Sequence, residues 1–74
     1  MERDEWIRRF AETLGSNAPS AGEIEAILDL AAVAAHSSVR QAAPVACWVA
    51  GRSGRSLSEL NQIAQSIAPP ASQS

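Results

Sequence analysis

Apolar residues recur at helical spacing in four stretches of the chain, and no stretch shows the alternation typical of a β-strand. The pattern predicts helices near residues 4–14, 21–38, 44–52 and 57–68. Apolar side chains cover well over half the circumference of the second helix, so we expect other helices or a partner to surround it. The predicted fold is therefore all-α: a compact four-helix domain with helix two, about residues 21–38, at its centre.

The predicted helix starts carry residues that suit an N-terminus. Asp4 is a plausible N-cap of the first helix. A capping box is a pair of residues in which the side chain of each accepts a hydrogen bond from the backbone N–H of the other. Its spacing occurs twice, at Ser20 with Glu23 and at Ser56 with Glu59. These pairs fix where the second and fourth helices begin.

The chain length allows one domain with a small core. We assign residues 1–68 to a single helical domain and expect residues 69–74, which follow the last apolar stripe, to be a disordered tail. One cysteine cannot form an internal disulfide, and one cysteine with one histidine cannot complete a zinc site. A domain of this size then needs efficient helix packing or a partner, and we expect no cofactor.

Charge is divided unevenly along the chain, whose net charge is −2. Residues 1–37 contain seven acids and three arginines, giving −4, while residues 38–74 contain three arginines and one acid, giving +2. A mildly acidic chain argues against nucleic-acid binding through phosphates. No apolar stretch is long enough for a membrane span or a signal peptide, so we expect a cytoplasmic protein.

The segment between helices two and three holds the main candidate site. His36 lies in the last turn of helix two, where a histidine commonly caps the helix; the alternative is a group that contacts a ligand or partner. Arg40 precedes Pro44, a residue suited to the first turn of a helix. Arg40 is either solvated or, together with free amides of that helix, part of an anion site.

Helix three is apolar nearly all round and contains Cys47 and Trp48. With no basic neighbour, Cys47 is expected to be an inert, buried thiol. Trp48 and Trp6 are most simply core residues, but Trp48 is also a candidate interface anchor because its helix has almost no polar face. We therefore expect a homodimer or a complex through helix three, with Trp48 or Val49 at the contact.

Several segments together resemble a small helical bacterial domain of unknown function, whose members occur alone or fused to nucleotidyltransferases similar to molybdenum-cofactor guanylyltransferases. The resemblance covers about residues 5–65 and is most specific between His36 and Pro44. Its motifs are a Trp-x-x-x-Phe helix, Ile27-Leu28-Asp29-Leu30-Ala31, Ala35-His36, and Val39-x-x-x-Ala43-Pro44 with Arg40 between. The resemblance implies a place near molybdenum-cofactor biosynthesis and a nucleotidyltransferase as partner, but no reaction.

These observations favour a non-catalytic accessory or protein-interaction module, to which the resemblance adds molybdenum-cofactor biosynthesis as a setting. The alternative is a small anion- or nucleotide-binding module that uses His36 and Arg40. An enzyme is not expected, because the chain has no lysine or tyrosine and only one histidine and one cysteine. The candidate ligand- or partner-binding residues are His36, Arg40 and Trp48.

Overall fold

A computed structural model describes residues 1–68 and contains four α-helices: α1 (Arg3–Leu14), α2 (Ala21–Ser37), α3 (Ala42–Ser53) and α4 (Leu57–Ile67). Helix α2 is central because both α3 and α4 pack against it. The predicted all-α, four-helix fold with helix two at its centre is confirmed. The tail that we expected to be disordered lies outside the described residues.

Two serines cap helices as predicted, but only one of the two capping boxes is complete. At the start of α2, the Ser20 N–H donates to Glu23 Oε1 at 2.7 Å and the Glu23 N–H donates to Ser20 Oγ at 3.1 Å. At the start of α4, the Glu59 N–H donates to Ser56 Oγ at 3.1 Å, but the Glu59 carboxylate pairs with Arg55 instead of returning to the backbone. The prediction of a second box is therefore wrong, because Arg55 competes for its carboxylate.

The predicted starts of the first and third helices lie one and two residues after the first residue of the observed helix. Helix α1 is capped by Glu2, which makes no side-chain cap bond, so Asp4 falls within the first turn and accepts from Arg3 Nε at 2.8 Å. Helix α3 begins at Ala42, so Pro44 is its third residue rather than its first. The helix tolerates this position because the first four amides of a helix have no intrahelical acceptor in any case.

The interior of the domain is thin. Only Ala11 and Leu30 are buried apolar residues among those described, and no described side chain is wholly removed from solvent. A hydrogen bond joins α4 to α2, because Asn61 Nδ2 donates to the carbonyl oxygen of Ala26 at 3.1 Å. The same nitrogen also donates to the carbonyl oxygen of Leu57 within α4, at 3.1 Å. A core this small leaves many large apolar side chains exposed.

Candidate functional site

The two candidate residues between α2 and α3 are both solvent-exposed. His36 lies in the last turn of α2, as predicted, and Arg40 lies in the connection that follows. The helix ends at Ser37, and the φ and ψ of the next residue, Ser38, are −140° and −108°, which turn the chain out of helical geometry. Within residues 1–68 neither side chain forms a hydrogen bond or an ion pair, so both are available to a partner.

The start of α3 offers an anion little besides the Arg40 side chain. The Ala42 N–H donates to the Val39 carbonyl at 2.9 Å, and the Ala43 N–H donates to the Arg40 carbonyl at 3.1 Å. Pro44 has no N–H to give. The first three residues of α3 thus have no free amide for an anion, since two are already bonded and Pro44 has none.

The outward side of α3 carries large apolar side chains. We call this surface the α3 outer face and define it by Val45, Trp48, Val49 and Arg52, which recur at spacings of three and four residues. Trp48 is 64% exposed, and the Arg52 guanidinium carbon lies 4.6 Å from the centre of its ring, in cation–π geometry. The interpretation of Trp48 as a core residue is therefore wrong, while its role as an interface anchor stays a prediction.

A second apolar surface runs along α1. The α1 stripe consists of Trp6, Phe10 and Leu14, each four residues after the last. The Trp6 and Phe10 rings are stacked with centroids 5.1 Å apart, and Trp6 is 54% exposed. The expectation that Trp6 lies in the core is wrong, because α1 turns Ile7 and Ala11 inward and leaves the aromatic pair outside. Helical periodicity revealed the stripe but not that it is uncovered.

A small apolar cavity of about 300 Å³ lies between α2, α3 and α4. Leu30, Cys47, Arg55 and Leu60 are among the residues that line it. Burial raises the pKa of the Cys47 thiol, because removal from water disfavours the thiolate. Cys47 is half-buried rather than buried as expected, but the raised pKa of its thiol fits the weakly reactive environment that its apolar helix predicted.

Residues 1–68 contain neither a candidate metal site nor a helix suited to span a membrane. No group of three or more His, Cys, Asp or Glu side chains in residues 1–68 is arranged to hold a metal ion. No helix in that range combines the length and apolar character that crossing a bilayer requires. The prominent features are thus two apolar surfaces and a small exposed basic segment.

Comparison with known proteins gives a family but no characterised relative. Neither the curated proteins nor the solved structures contain a match to this chain. The model of one family, described as a domain of unknown function, DUF6457, matches residues 1–72. Because the match extends over nearly the whole chain, the protein belongs to the DUF6457 family.

Proposed function

We propose that this domain is a non-catalytic accessory module that works by binding protein through the α3 outer face. The observation that carries the proposal is the exposure of Val45, Trp48 and Val49 on one side of a single helix, at 62%, 64% and 57%. A single exposed apolar residue needs no explanation, but a contiguous apolar surface on a small domain is typical of an interaction site.

The residue types of this face suit protein recognition. Tryptophan and arginine are enriched at the energetic centres of protein interfaces, and here Arg52 stacks on Trp48. The stacking holds both side chains in place before a partner arrives, which lowers the entropy lost on binding. A partner that covers Trp48 would also desolvate Arg52, so we expect an acceptor, such as a carboxylate, opposite the guanidinium.

We further propose that the module acts in the cytoplasm in molybdenum-cofactor biosynthesis, docked on a nucleotidyltransferase. This step is supported by the resemblance centred on His36 to Pro44, together with the exposure of His36 and Arg40. Two neighbouring basic side chains suit an acidic patch on the nucleotidyltransferase. They do not enclose a pocket, which makes a small anionic ligand the weaker alternative.

The α3 outer face is tested by replacing its central residue. We expect Trp48→Ala to weaken the binding of a protein, whether a second copy or the nucleotidyltransferase, by at least tenfold, because anchors at interface centres carry most of the affinity. Ile67→Ala is the matched control, since Ile67 is 77% exposed but lies on α4. Sedimentation velocity measures self-association, and isothermal titration measures binding to the purified nucleotidyltransferase. If Trp48→Ala changes neither, the face is not an interaction site.

The basic segment is tested separately. We expect Arg40→Ala to weaken binding to the nucleotidyltransferase while the thermal unfolding midpoint stays unchanged, because the lost interaction exists only in the complex. His36→Ala should also cost about 0.5–1 kcal/mol of stability, since His36 lies in the last turn of α2. Titration with nucleotides and inorganic phosphate distinguishes the alternative. Binding of one of these that Arg40→Ala abolishes would favour an anion-binding module over protein docking.

A further inference from the structure

We propose that the α3 outer face is covered by the α1 stripe of a second copy of this chain. In the resulting twofold dimer each copy donates its α1 and receives the partner's α1. The inference rests on the proposed function, because it names the protein that occupies the α3 outer face. A symmetric exchange of this kind closes on itself and leaves neither surface uncovered.

The two surfaces match in length and in chemistry. Helices α1 and α3 each contain 12 residues and are therefore about 18 Å long. Each presents an apolar row along one side, formed by Trp6, Phe10 and Leu14 on α1 and by Val45, Trp48 and Val49 on α3. In the described structure α3 packs on α2, and α1 is not packed extensively on α3. Neither row is therefore covered by another helix of the same chain.

The charges at the helix ends specify how α1 would lie on α3. Glu2 caps the start of α1 and Arg52 lies in the last turn of α3, and neither forms an ion pair within residues 1–68. The neighbouring charges Asp4, Glu5 and Arg55 are already paired with Arg3, Arg9 and Glu59. An antiparallel arrangement brings Glu2 and Arg52 together and also aligns the two helix dipoles favourably. Pairing α3 with another α3 supplies no acid to Arg52, because α3 contains none.

Chain connectivity favours a second copy over the chain's own α1. Residues 15–20 join α1 to α2, and residues 38–41 join α2 to α3. Connections this short favour antiparallel neighbours, so within one chain α1 and α3 would run in the same direction. That direction places Glu2 away from Arg52. Within one chain, an antiparallel α1 on α3 would require residues 15–20 to run the length of α2, about 25 Å, which a second copy does not require.

The area of the two surfaces is sufficient for a stable dimer. From the sizes and exposures of the six row side chains, a dimer that covers both rows in both copies would bury roughly 1,300 Å². Stable interfaces commonly bury about 1,200–2,000 Å² in total.

Charge reversal tests the arrangement. Glu2 and Arg52 suit this test because neither forms an ion pair within residues 1–68. We expect wild-type protein to sediment as a dimer at micromolar concentration, and Glu2→Arg or Arg52→Glu alone to weaken the dimer at least tenfold. An equal mixture of the two variants should restore the dimer. In the mixed dimer the two substituted side chains have opposite charges and meet at one contact, and the native Glu2 and Arg52 meet at the other. Arg8→Glu and Glu25→Arg, both exposed and away from the two rows, are the controls and should leave dimerisation unchanged.

The outcomes separate this inference from the proposed function. A wild-type chain that stays monomeric at millimolar concentration, or a mixture that fails to restore the dimer, overturns the exchange of α1. If Trp6→Ala leaves the dimer intact while Trp48→Ala disrupts it, the α3 outer face binds protein but its occupant is not α1. If Trp48→Ala also leaves the dimer and nucleotidyltransferase binding intact, the proposed function fails as well. Circular dichroism of every variant shows whether the helices are retained.

Discussion

The two sides of α3 differ in a way that is unusual for a helix in a small domain. Its inner side is half-buried against the domain and consists of small residues, namely Ala43, Ala46, Cys47 and Ala50. Its outer face carries the larger valines and tryptophan. In a helix stabilised only by its own domain, the large apolar side chains would be turned inward, where burial contributes most.

This difference indicates separate roles for the two sides. Small residues let α3 lie close to α2, which holds the helix in place with little apolar area. The large side chains add little to the stability of the isolated chain and are available to a partner. The α1 stripe repeats the arrangement, with Ala11 inside and aromatic rings outside. One set of residues therefore stabilises the domain, and a different set forms its exposed apolar surfaces.

The comparison is tested most strongly by removing one large side chain from the interior against which α3 packs and one from the outer face of α3. Leu30 of α2 is 5% exposed and lies in the interior that α3 and α4 cover. We expect Leu30→Ala to lower the free energy of unfolding by about 2–4 kcal/mol, a large part of the total stability of so short a chain. Trp48→Ala should cost less than about 1 kcal/mol. Urea unfolding at concentrations where the chain is monomeric measures both.

The concentration matters for interpreting this pair of variants. In the dimer, Trp48→Ala would also remove association energy and so lower the apparent stability by mass action. An equal loss in the two variants under monomeric conditions would show that the outer face belongs to the core, and the division of roles would then be wrong.

Two glycines at the end of α3 have different backbone conformations, so replacing each by alanine should change the stability in opposite directions. Gly51 is helical, and a Cβ added there would meet nothing within 4 Å, so Gly51→Ala should stabilise the domain by about 0.5–1 kcal/mol. Gly54 has a φ of +76° and ends the helix in the left-handed conformation, so Gly54→Ala should destabilise it by about 1 kcal/mol. Thermal unfolding of the two variants should shift in opposite directions. Destabilisation by Gly51→Ala would mean that the end of α3 has no room for a methyl group at this position.

The sequence predicted the helices well because their signals are local. Periodicity located all four, and Ser20 with Glu23 marked the start of α2 through bonds that span only three residues. The incomplete box at Ser56 was missed because Arg55, a residue outside the motif, takes the carboxylate of Glu59. Local patterns thus predicted where each helix lies and failed where a neighbouring side chain competes.

The surfaces were harder to predict because periodicity does not state what covers an apolar face. The apolar pattern around Trp6 and Trp48 would be the same in a helix buried by its own domain and in a helix buried by a partner. The excess of apolar surface over what a short chain can hide was the one available signal. It pointed to Trp48 on α3 and missed Trp6 on α1.

The smallest expected effect concerns the inner side of α3 at alkaline pH. Because burial raises the pKa of the Cys47 thiol in the folded state, the unfolded chain loses this proton at lower pH than the folded chain. The unfolded state then binds fewer protons, so stability is retained in full below the unfolded pKa and falls as the pH rises above about 9.

This dependence can be measured because little else titrates in that range. The chain has no lysine and no tyrosine, which leaves Cys47 and the α-amino group between about pH 8 and 11. Urea unfolding from pH 7 to 10.5 should show a decline for the wild type and a flatter profile for Cys47→Ala, which leaves α3 a small apolar side chain at this position. An equal decline in both proteins would show that the thiol is as accessible folded as unfolded. The inner side of α3 would then be as open to water as the outer face.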